Sequence, residues 1–304
     1  MLPYLALALA MVLWASSFLV LKTVFAVFDP MVVLFARMLI ATLCLAVILG
    51  RRRGGGWNYR PGDWKPLLGM GLAEPCLYFL FEARALTLTT VSQAAVITAT
   101  LPLLAAIAAR LFLREKASSW AWFGIALSFG GVIWLTVVAK NGAGAPNPAL
   151  GNLLEFCAMI CATGYVLLAK KLSPRYSPLV LTAVQTVLGC GWFGLGLLLP
   201  GVALPTHLPL WPALGVLYLG ACITLGAYGL YTWSVSQVPV AQATAFINLI
   251  PVFTVLMAWS LLGERLEPVQ GLACVLVFCG VFFVGRRRKV AAGDGLRQVP
   301  SAAP

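Results

Sequence analysis

The chain has 304 residues, of which 61% are hydrophobic and 10% are charged, and its net charge is +12. Because soluble domains carry roughly 25% charged residues, this composition excludes an ordinary soluble fold and indicates a polytopic membrane protein. The basic residues lie mostly in short loops between apolar runs, a pattern typical of topology signals, so we predict no nucleic-acid partner. With one histidine and eight cysteines that all lie inside apolar runs, the sequence predicts no metal site and no cofactor.

The apolar runs predict a series of transmembrane helices, because about 20 apolar residues span a bilayer as a helix. The first run lacks a basic start and a cleavage site, so it is predicted to be a retained helix rather than a signal peptide. Short breaks rich in Gly, Pro, Asn and Ser separate the runs. The ten predicted spans are about 3–27, 30–50, 64–85, 87–112, 118–138, 150–170, 178–199, 210–235, 239–262 and 267–285.

Ten spans place both termini on one side of the membrane. With the loops assigned alternately to the two sides, 16 of the 21 Lys and Arg residues lie on the side of the termini, four lie on the other side, and Arg37 lies inside the second span. This bias predicts that both termini are cytoplasmic. The segment 287–304 is predicted to be a basic, disordered cytoplasmic tail.

The second half of the chain repeats the first. At a shift of 149 residues the aligned pairs are Gln93 with Gln242, Pro102 with Pro251, Glu115 with Glu264 and Gly131 with Gly280, while Tyr78 aligns with Tyr228 at a shift of 150. The sequence therefore predicts a first repeat at 1–138, a linker at 139–149 and a second repeat at 150–286. Each repeat holds five spans, an odd number, so the fold is predicted to be all-α with two inverted-topology five-helix repeats. Secondary transporters with this arrangement bind substrate near the midplane, where the repeats meet.

Residues 87–135 and 237–285 resemble the EamA domain of the drug/metabolite transporter superfamily. Each segment has the proline within a helix, the loop glutamate and the Gly-Val pair near the domain end, and the resemblance covers nearly the whole chain as two tandem domains. Among members, the chain looks most like the bacterial amino-acid exporters of the YddG type. The resemblance implies an inner-membrane carrier with ten helices and a central cavity. It also implies export of amino acids, aromatic ones among them, and of related metabolites by alternating access.

Two prolines and three amides stand out in the fourth and ninth spans. Pro102 and Pro251 each remove a backbone hydrogen bond near the centre of a span, and their duplication predicts a pair of hinges, with a static kink as the alternative. Gln93 and Gln242 lie in the first turns of these spans, where an amide binds substrate or, alternatively, joins two helices. Asn248 lies deeper and is a stronger candidate for the cavity.

Charged side chains inside spans are costly and therefore mark functional sites. Five of them are predicted to lie towards the non-cytoplasmic side, and the most economical interpretation is a set of ion pairs that holds the outer gate. Its members are Lys22, Arg37, Glu82, Arg84 and Glu155. Recognition of a substrate carboxylate by Arg37 or Lys22 is one alternative, and solvated helix ends are another.

Glu74 is predicted to lie near the midplane of the third span and is followed by Pro75. Three interpretations stay open for its carboxyl group. It binds a substrate ammonium group or relays a proton; it faces a water-filled cavity without a specific role; or it bonds to a neighbouring helix, a contact made easier by the break at Pro75.

The remaining cavity candidates are mostly aromatic. Aromatic walls stack on flat substrates and attract ammonium groups, although Trp and Tyr also form belts at the membrane interface. The candidates deep enough to line the cavity are Trp14, Ser17, Tyr78, Tyr165 and Tyr228.

These features predict a secondary-active or facilitative carrier whose partners are a small-molecule substrate and the lipid bilayer. They do not determine whether the carrier is a monomer or an oligomer. An exchanger of phosphorylated or nucleotide-sugar metabolites is the alternative, but it needs several basic residues in the cavity, and only Lys22 and Arg37 lie at depth. A membrane-embedded enzyme is disfavoured, because the single histidine, His207, lies in a loop and no paired-aspartate motif occurs.

Overall fold

The computed structural model describes residues 2–51, 59–112, 119–138, 144–235 and 246–285. Every regular element in these ranges is helical, as the sequence predicts. In chain order the helices are α1 Leu2–Phe25, α2 Pro30–Arg51, α3 Trp64–Gly71, α4 Tyr78–Leu88, α5 Val91–Thr98, α6 Leu101–Phe112, α7 Ser119–Val137, α8 Pro148–Leu172, α9 Pro178–Gly196, α10 Leu210–Tyr218, α11 Tyr228–Val235, α12 Leu249–Leu262 and α13 Pro268–Gly285. Two π-helical stretches, Leu72–Leu77 and Leu219–Ala227, connect α3 to α4 and α10 to α11.

Some predicted features lie outside the described residues. They are the tail 287–304, positions 139–143 of the linker, Glu115 and Gln242.

The helices suit a bilayer. Those long and apolar enough to cross a membrane cover Leu2–Phe25, Pro30–Gly50, Pro148–Ala169, Pro178–Gly196 and Leu210–Tyr231, and shorter apolar helices cover Val91–Ala105, Trp122–Val137, Leu249–Leu262 and Pro268–Gly280. Large apolar side chains such as Leu9, Leu43 and Leu256 are more than half exposed on their surfaces. Because lipid solvates such groups as well as a protein core does, this exposure is what a membrane-embedded bundle requires.

Local sequence explains several helix ends. Asn147 and Ser177 accept hydrogen bonds from the backbone of the first turns of α8 and α9, and a proline follows each of them at the first helical position. Proline fits there because its missing N–H would have no partner within the helix. At the other end of a helix, Gly263 stops α12 with a φ of 67°, a conformation that glycine adopts at little cost.

The most extensive packing between two helices in the described structure is that of α7 along α13. A methyl group added to Gly131 would lie 2.9 Å from the carbonyl oxygen of Ala273, and one added to Gly280 would lie 2.6 Å from the backbone nitrogen of Ser128. Glycine at both positions therefore allows the two backbones to touch, as small residues do in membrane helix pairs. Elsewhere α1 packs against α11 and α12, α2 against α9, and α4 against α8.

Two sets of polar contacts define the ends of the bundle. We call the end that holds Lys22, Thr89, Gly144 and Glu264 the Lys22 face, because the Lys22 ammonium group donates to the carbonyl oxygens of Thr89 and Gly144 and interacts electrostatically with Glu264. We call the end that holds Asp63 the Asp63 face.

At the Asp63 face, one carboxylate joins two loops. Asp63 Oδ2 accepts hydrogen bonds from the Tyr176 hydroxyl at 2.7 Å and from the Arg60 backbone at 3.2 Å, and Arg175 Nη1 lies 2.9 Å from the carboxylate. The hydrogen bond from Tyr176, followed by those from Arg60 and Arg175, holds the pKa of Asp63 below its usual value although the side chain is buried. The loop before α3 and the loop after α8 are thereby fixed side by side.

Candidate functional site

The site begins at a break in the third apolar run. The chain is helical from Trp64 to Leu88 except at Glu74, whose φ of −146° and ψ of 120° are those of an extended residue. Pro75 explains the break, because proline donates no backbone hydrogen bond and disfavours a helical conformation in the residue before it. The freed carbonyl oxygen of Glu74 accepts a hydrogen bond at 2.9 Å from the side-chain amide of Gln185 in α9. Such a break is tolerated inside a membrane because a neighbouring helix satisfies the exposed backbone.

The side chain of Glu74 turns towards the second half of the chain. It is 6% exposed and accepts a hydrogen bond from the hydroxyl of Tyr228 in α11. The Tyr228 ring packs edge-on against Trp14, with ring centroids 5.2 Å apart, and Tyr231 lies at the same distance from Trp14 on a tilted plane. The indole nitrogen of Trp14 is buried and lacks a hydrogen-bond partner among the residues that the structure describes. A carboxylate and a wall of aromatic rings therefore lie side by side.

Arg37 of α2 supplies the opposite charge. It is 3% exposed, its Nε donates to Thr224 Oγ1 at 3.0 Å, and its guanidinium carbon lies 4.1 Å from the centre of the Phe79 ring. Thr224 belongs to the second π-helical stretch. The Arg37 guanidinium and the Glu74 carboxylate interact electrostatically, so the site holds a buried cation and a buried anion on different helices.

A small cavity lies beside Glu74 and Tyr228, and Arg37 donates to Thr224 in its lining. Its volume is about 20 Å³, and its lining residues are Met38, Glu74, Pro75, Phe79, Thr182, Gln185, Thr186, Thr224 and Tyr228. A cavity of this size has room for about one water molecule. An organic solute therefore requires the surrounding helices to separate before it can enter.

Further titratable groups lie along α4 and α8, between the cavity and the Lys22 face. The Tyr78 hydroxyl donates to Glu82 Oε1 at 2.8 Å, and Glu82, which is 4% exposed, interacts electrostatically with Arg37. Glu155 is fully buried, and neither of its carboxyl oxygens has a hydrogen-bond partner in the described part of the chain. Its carboxyl group interacts electrostatically with that of Glu82.

A layer of neutral polar groups lies next to these acids on the side of the Lys22 face. Asn152, one helical turn before Glu155, accepts from Thr89 Oγ1 at 2.8 Å and donates to Gln93 Oε1 at 2.9 Å and to Thr136 Oγ1 at 3.3 Å. The Gln93 amide thus bonds α5 to α8 and is not among the residues that line the cavity.

The Lys22 face is closed by two charged side chains. Lys22 Nζ donates to the carbonyl oxygens of Leu86, Thr89 and Gly144 at 2.6–2.7 Å, where α4 ends and its carbonyl groups lack helical partners. Glu264, in the loop between α12 and α13, accepts hydrogen bonds from the backbone nitrogens of Val91 and Ser92 at 3.0 and 2.9 Å. A carboxylate at the first turn of α5 also suits the positive end of the helix dipole.

Replacing Glu264 by alanine is expected to loosen this face. The first turn of α5 loses its capping group, which costs about 1–2 kcal/mol, so its amides should exchange hydrogen roughly tenfold faster. Hydrogen-exchange mass spectrometry of the peptide that covers Val91 and Ser92 measures this. Glu267→Ala, which removes an exposed carboxylate from the same loop, is the control, and equal exchange in the two variants would show that Glu264 does not hold the face.

The other predicted residues have definite positions. Pro102 lies in the first turn of α6, after a break at Ala99 and Thr100. Pro251 lies in the first turn of α12, a helix that begins at the residue after Asn248. The Asn248 Oδ1 atom is buried without a hydrogen-bond partner among the described residues.

Three further predicted residues lie at different distances from the cavity: Tyr165 is nearest to it, and Ser17 and Arg84 make no contact with its lining that the structure describes. Tyr165 interacts electrostatically with Glu74, which places it near the site. The Ser17 hydroxyl bonds to the carbonyl oxygen of Trp14 in its own helix, and Arg84 is exposed. Gln242 is outside the described residues.

Sequence reasoning missed Gln185, Thr224 and Phe79 as site residues. A signal existed for Gln185, because a shift of 148 residues aligns it with Arg37. The side chain of each of these two residues bonds to one of the π-helical stretches. Phe79 carries no signal that sets it apart from the many other aromatic residues in the chain.

Comparison with known proteins identifies relatives along the whole chain. The sequence profile of the EamA-like transporter family matches residues 1–137 and 149–286. The chain is 28% identical to the "Uncharacterized transporter YetK" of Bacillus subtilis, over 94% of this chain and 87% of that one. It is 25% identical to the "Probable terminal-alkyne amino-acid exporter" of Streptantibioticus cattleyicolor, over 96% of this chain and 97% of that one. A solved crystal structure with 19% identity superposes with a TM-score of 0.62, covering 98% of this chain and 99% of the other, so the two share a fold.

Proposed function

Because the chain belongs to the EamA-like transporter family, we propose that it is a carrier that exports amino acids, aromatic ones among them, by alternating access. The observation that supports this most strongly is a pair of opposite buried charges: Glu74 lines the cavity, and Arg37 donates to Thr224, which lines it as well. An α-amino acid carries an ammonium group and a carboxylate on the same carbon atom. A site with one anion and one cation therefore matches it better than it matches a solute with a single charge.

The surrounding groups suit each part of such a substrate. The Glu74 carboxylate binds the ammonium group, and the Arg37 guanidinium with the Thr224 hydroxyl binds the carboxylate. Trp14 and Tyr231 provide an apolar wall for the side chain and attract the ammonium group through their ring faces. Since Trp14 Nε1 lacks a partner in the described structure, it is free to donate to the substrate.

The proposed architecture has ten membrane-spanning helices in two inverted repeats, 1–138 and 150–286. The two π-helical stretches support it, because they fall at corresponding positions of the two halves. The hydrogen bonds of Arg37 to Thr224 and of Gln185 to Glu74 support it further. Shifts of 148 and 150 residues align Arg37 with Gln185 and Glu74 with Thr224, so exchanging the halves converts one bond into the other.

In the proposed orientation both termini and the Asp63 face are cytoplasmic, in the inner membrane of a bacterial cell, and the Lys22 face points outwards. The charge bias of the loops supports this assignment. Lys22 and Glu264 then close the outer gate, and Pro102 and Pro251 act as the hinges about which the half-helices swing. The linker 139–149 joins the repeats, and 287–304 is a cytoplasmic tail.

Exchange of phosphorylated or nucleotide-sugar metabolites is the less favoured function. Phosphate recognition requires several cations, whereas none of the described residues that line the cavity is basic, and Arg37 contacts the cavity lining through Thr224. Lys22 already donates to three carbonyl groups at the Lys22 face. The name of the Streptantibioticus relative, a probable amino-acid exporter, also favours the first proposal.

Counterflow in proteoliposomes tests the proposal. Vesicles that hold unlabelled aromatic amino acid should accumulate the same radiolabelled compound, and vesicles that hold a sugar phosphate should not accumulate labelled sugar phosphate. Absence of amino-acid counterflow, with a panel that includes aromatic and aliphatic amino acids, would contradict the proposed function. Counterflow of the sugar phosphate would support the alternative in its place.

A further inference from the structure

The carboxyl group of Glu155 has no role in the site as described so far. It is fully buried, and neither oxygen has a hydrogen-bond partner in the part of the chain that the structure describes. Glu155 is seven residues into α8, and Glu82 is six residues before the end of α4. At a rise of 1.5 Å per residue, both lie about 10 Å below the Lys22 face. The two acids therefore meet at the same depth, between two helices that pack along each other.

The charges around these two acids do not balance. Among the groups on the elements packed against α8, Glu155 interacts with Glu82 and Tyr78 of α4, and Glu82 interacts further with Arg37 of α2 and with Glu74. Three carboxyl groups thus share one guanidinium group within the described structure. Two neighbouring carboxylates in a site of low polarity do not ionise together, because neither water nor a counter-ion offsets their repulsion. Such a pair therefore holds a proton.

We propose that Glu82 and Glu155 form a proton-binding site whose occupancy alternates with that of the substrate site, so that the carrier exchanges an outgoing amino acid for an incoming proton. The proton is held in the O–H bond of one of the two carboxylic acids. When that bond breaks, the proton leaves to water and the pair is left with one more negative charge. This inference rests on the proposed export function for its substrate, whereas the proton site itself does not depend on that function.

The position of Glu74 explains why the two occupancies would alternate. Its carboxyl group interacts electrostatically with Glu82. An ammonium group bound at Glu74 brings a positive charge towards the pair and favours loss of the proton. Departure of the substrate removes that charge and favours its return. Bound substrate and bound proton thus exclude each other. A carrier that releases one of them at one membrane face and binds the other there carries out antiport.

The polar layer gives the pair a connection to the Lys22 face. Asn152 lies one helical turn from Glu155 and bonds to Thr89 and Gln93, and Thr89 lies directly beneath the Lys22 ammonium group. When Lys22 and Glu264 release this face, the layer and then the carboxyl pair come within reach of water from outside. In the structure described here these contacts are made, which keeps the pair buried.

Two transport measurements on Glu155→Gln test the proposal. Counterflow requires substrate exchange alone, and accumulation driven by a pH gradient requires that substrate movement be coupled to protons. We expect Glu155→Gln to retain counterflow and to lose gradient-driven accumulation by about tenfold or more, the usual scale of a coupling free energy. A pH dye trapped in the vesicles should report substrate-dependent proton flux in the wild type but not in the variant. The control is Asp29→Asn, which exchanges a carboxyl for an amide but retains an acceptor for the Met31 backbone nitrogen.

The proposal is overturned if Glu155→Gln accumulates amino acid from a pH gradient as the wild type does, or if a sodium gradient drives accumulation and a pH gradient does not. Transport could also be absent because the variant misfolds or because the substrate tested is wrong. A measurement that needs no substrate tests the proton site in both cases. Infrared spectra of the wild type at neutral pH should contain the carbonyl band of a protonated carboxyl group, and this band should be weaker in Glu155→Gln. The band without amino-acid transport would contradict the proposed substrate and leave the proton site in place, whereas its absence from the wild type removes the site.

Discussion

Replacing Glu74 by glutamine is expected to lower amino-acid counterflow by about 30-fold or more. The amide is close in size to the carboxyl group and still accepts the hydrogen bond from Tyr228, so the packing of the site should persist. The variant loses the negative charge that binds the ammonium group, and it leaves Arg37 buried with less compensation. Removing one partner of a buried charge pair costs about 2 kcal/mol or more, and about 1.4 kcal/mol corresponds to a tenfold change.

Initial rates in proteoliposomes with equal amounts of protein provide the measurement. Tyr228→Phe should reduce counterflow less, by about tenfold, since it removes one hydrogen bond to a charged group and retains the ring. Asp29→Asn at the Lys22 face, which exchanges a carboxyl for an amide far from the cavity, should behave as the wild type. If Glu74→Gln transports at the wild-type rate, the carboxylate does not bind the substrate.

Replacing Gly280 by alanine is expected to destabilise the protein strongly. The added methyl group would lie 2.6 Å from the backbone nitrogen of Ser128, and a backbone atom cannot move aside as a flexible side chain can. Overpacking of this kind costs about 1–3 kcal/mol. The expected result is a lower melting temperature in detergent and a smaller yield of folded protein from membranes, both measured by size-exclusion chromatography with fluorescence detection.

The same helix provides a matched control. Gly271 also lies in α13, but a methyl group there meets nothing within 4 Å. Because alanine loses less conformational freedom than glycine when a helix forms, Gly271→Ala should be neutral or slightly stabilising. If Gly280→Ala and Gly271→Ala melt at the same temperature, the α7–α13 contact is not the close backbone contact described above.

The break at Glu74 could be predicted from the sequence, and its partners could not. Pro75 disfavours a helical conformation in the residue before it, and this preference can be read from the sequence. The donors from Gln185 and Tyr228 depend on which helices lie against the first π-helical stretch. The order of hydrophobic residues along the chain gives the depth of each helix, but it does not give its rotation or its neighbours.

For the charged residues, too, the sequence predicts the depth in the membrane but not the contact partners. Hydropathy predicts that Lys22, Glu82 and Glu155 lie towards one face, and the structure brings them to the ends of α1, α4 and α8 that meet there. Their partners depend on tertiary packing. Lys22 bonds to the free carbonyl groups where α4 ends, Glu82 bonds to Tyr78, and Glu155 faces another acid. Opposite charges do interact, Glu82 with Arg37 and Lys22 with Glu264, but the hydrogen bonds named here join each charged group to a neutral one.

The central claim is that Glu74 and Arg37 together recognise the ammonium and carboxylate groups of one amino acid. Competition against a bound radiolabelled aromatic amino acid tests it most directly, with the unlabelled amino acid, the amine that lacks its carboxylate and the acid that lacks its ammonium group as competitors. We predict that the amino acid competes at least about tenfold better than either analogue in the wild type, and that Glu74→Gln removes its advantage over the acid. Equal competition by the amine or the acid in the wild type would contradict the claim.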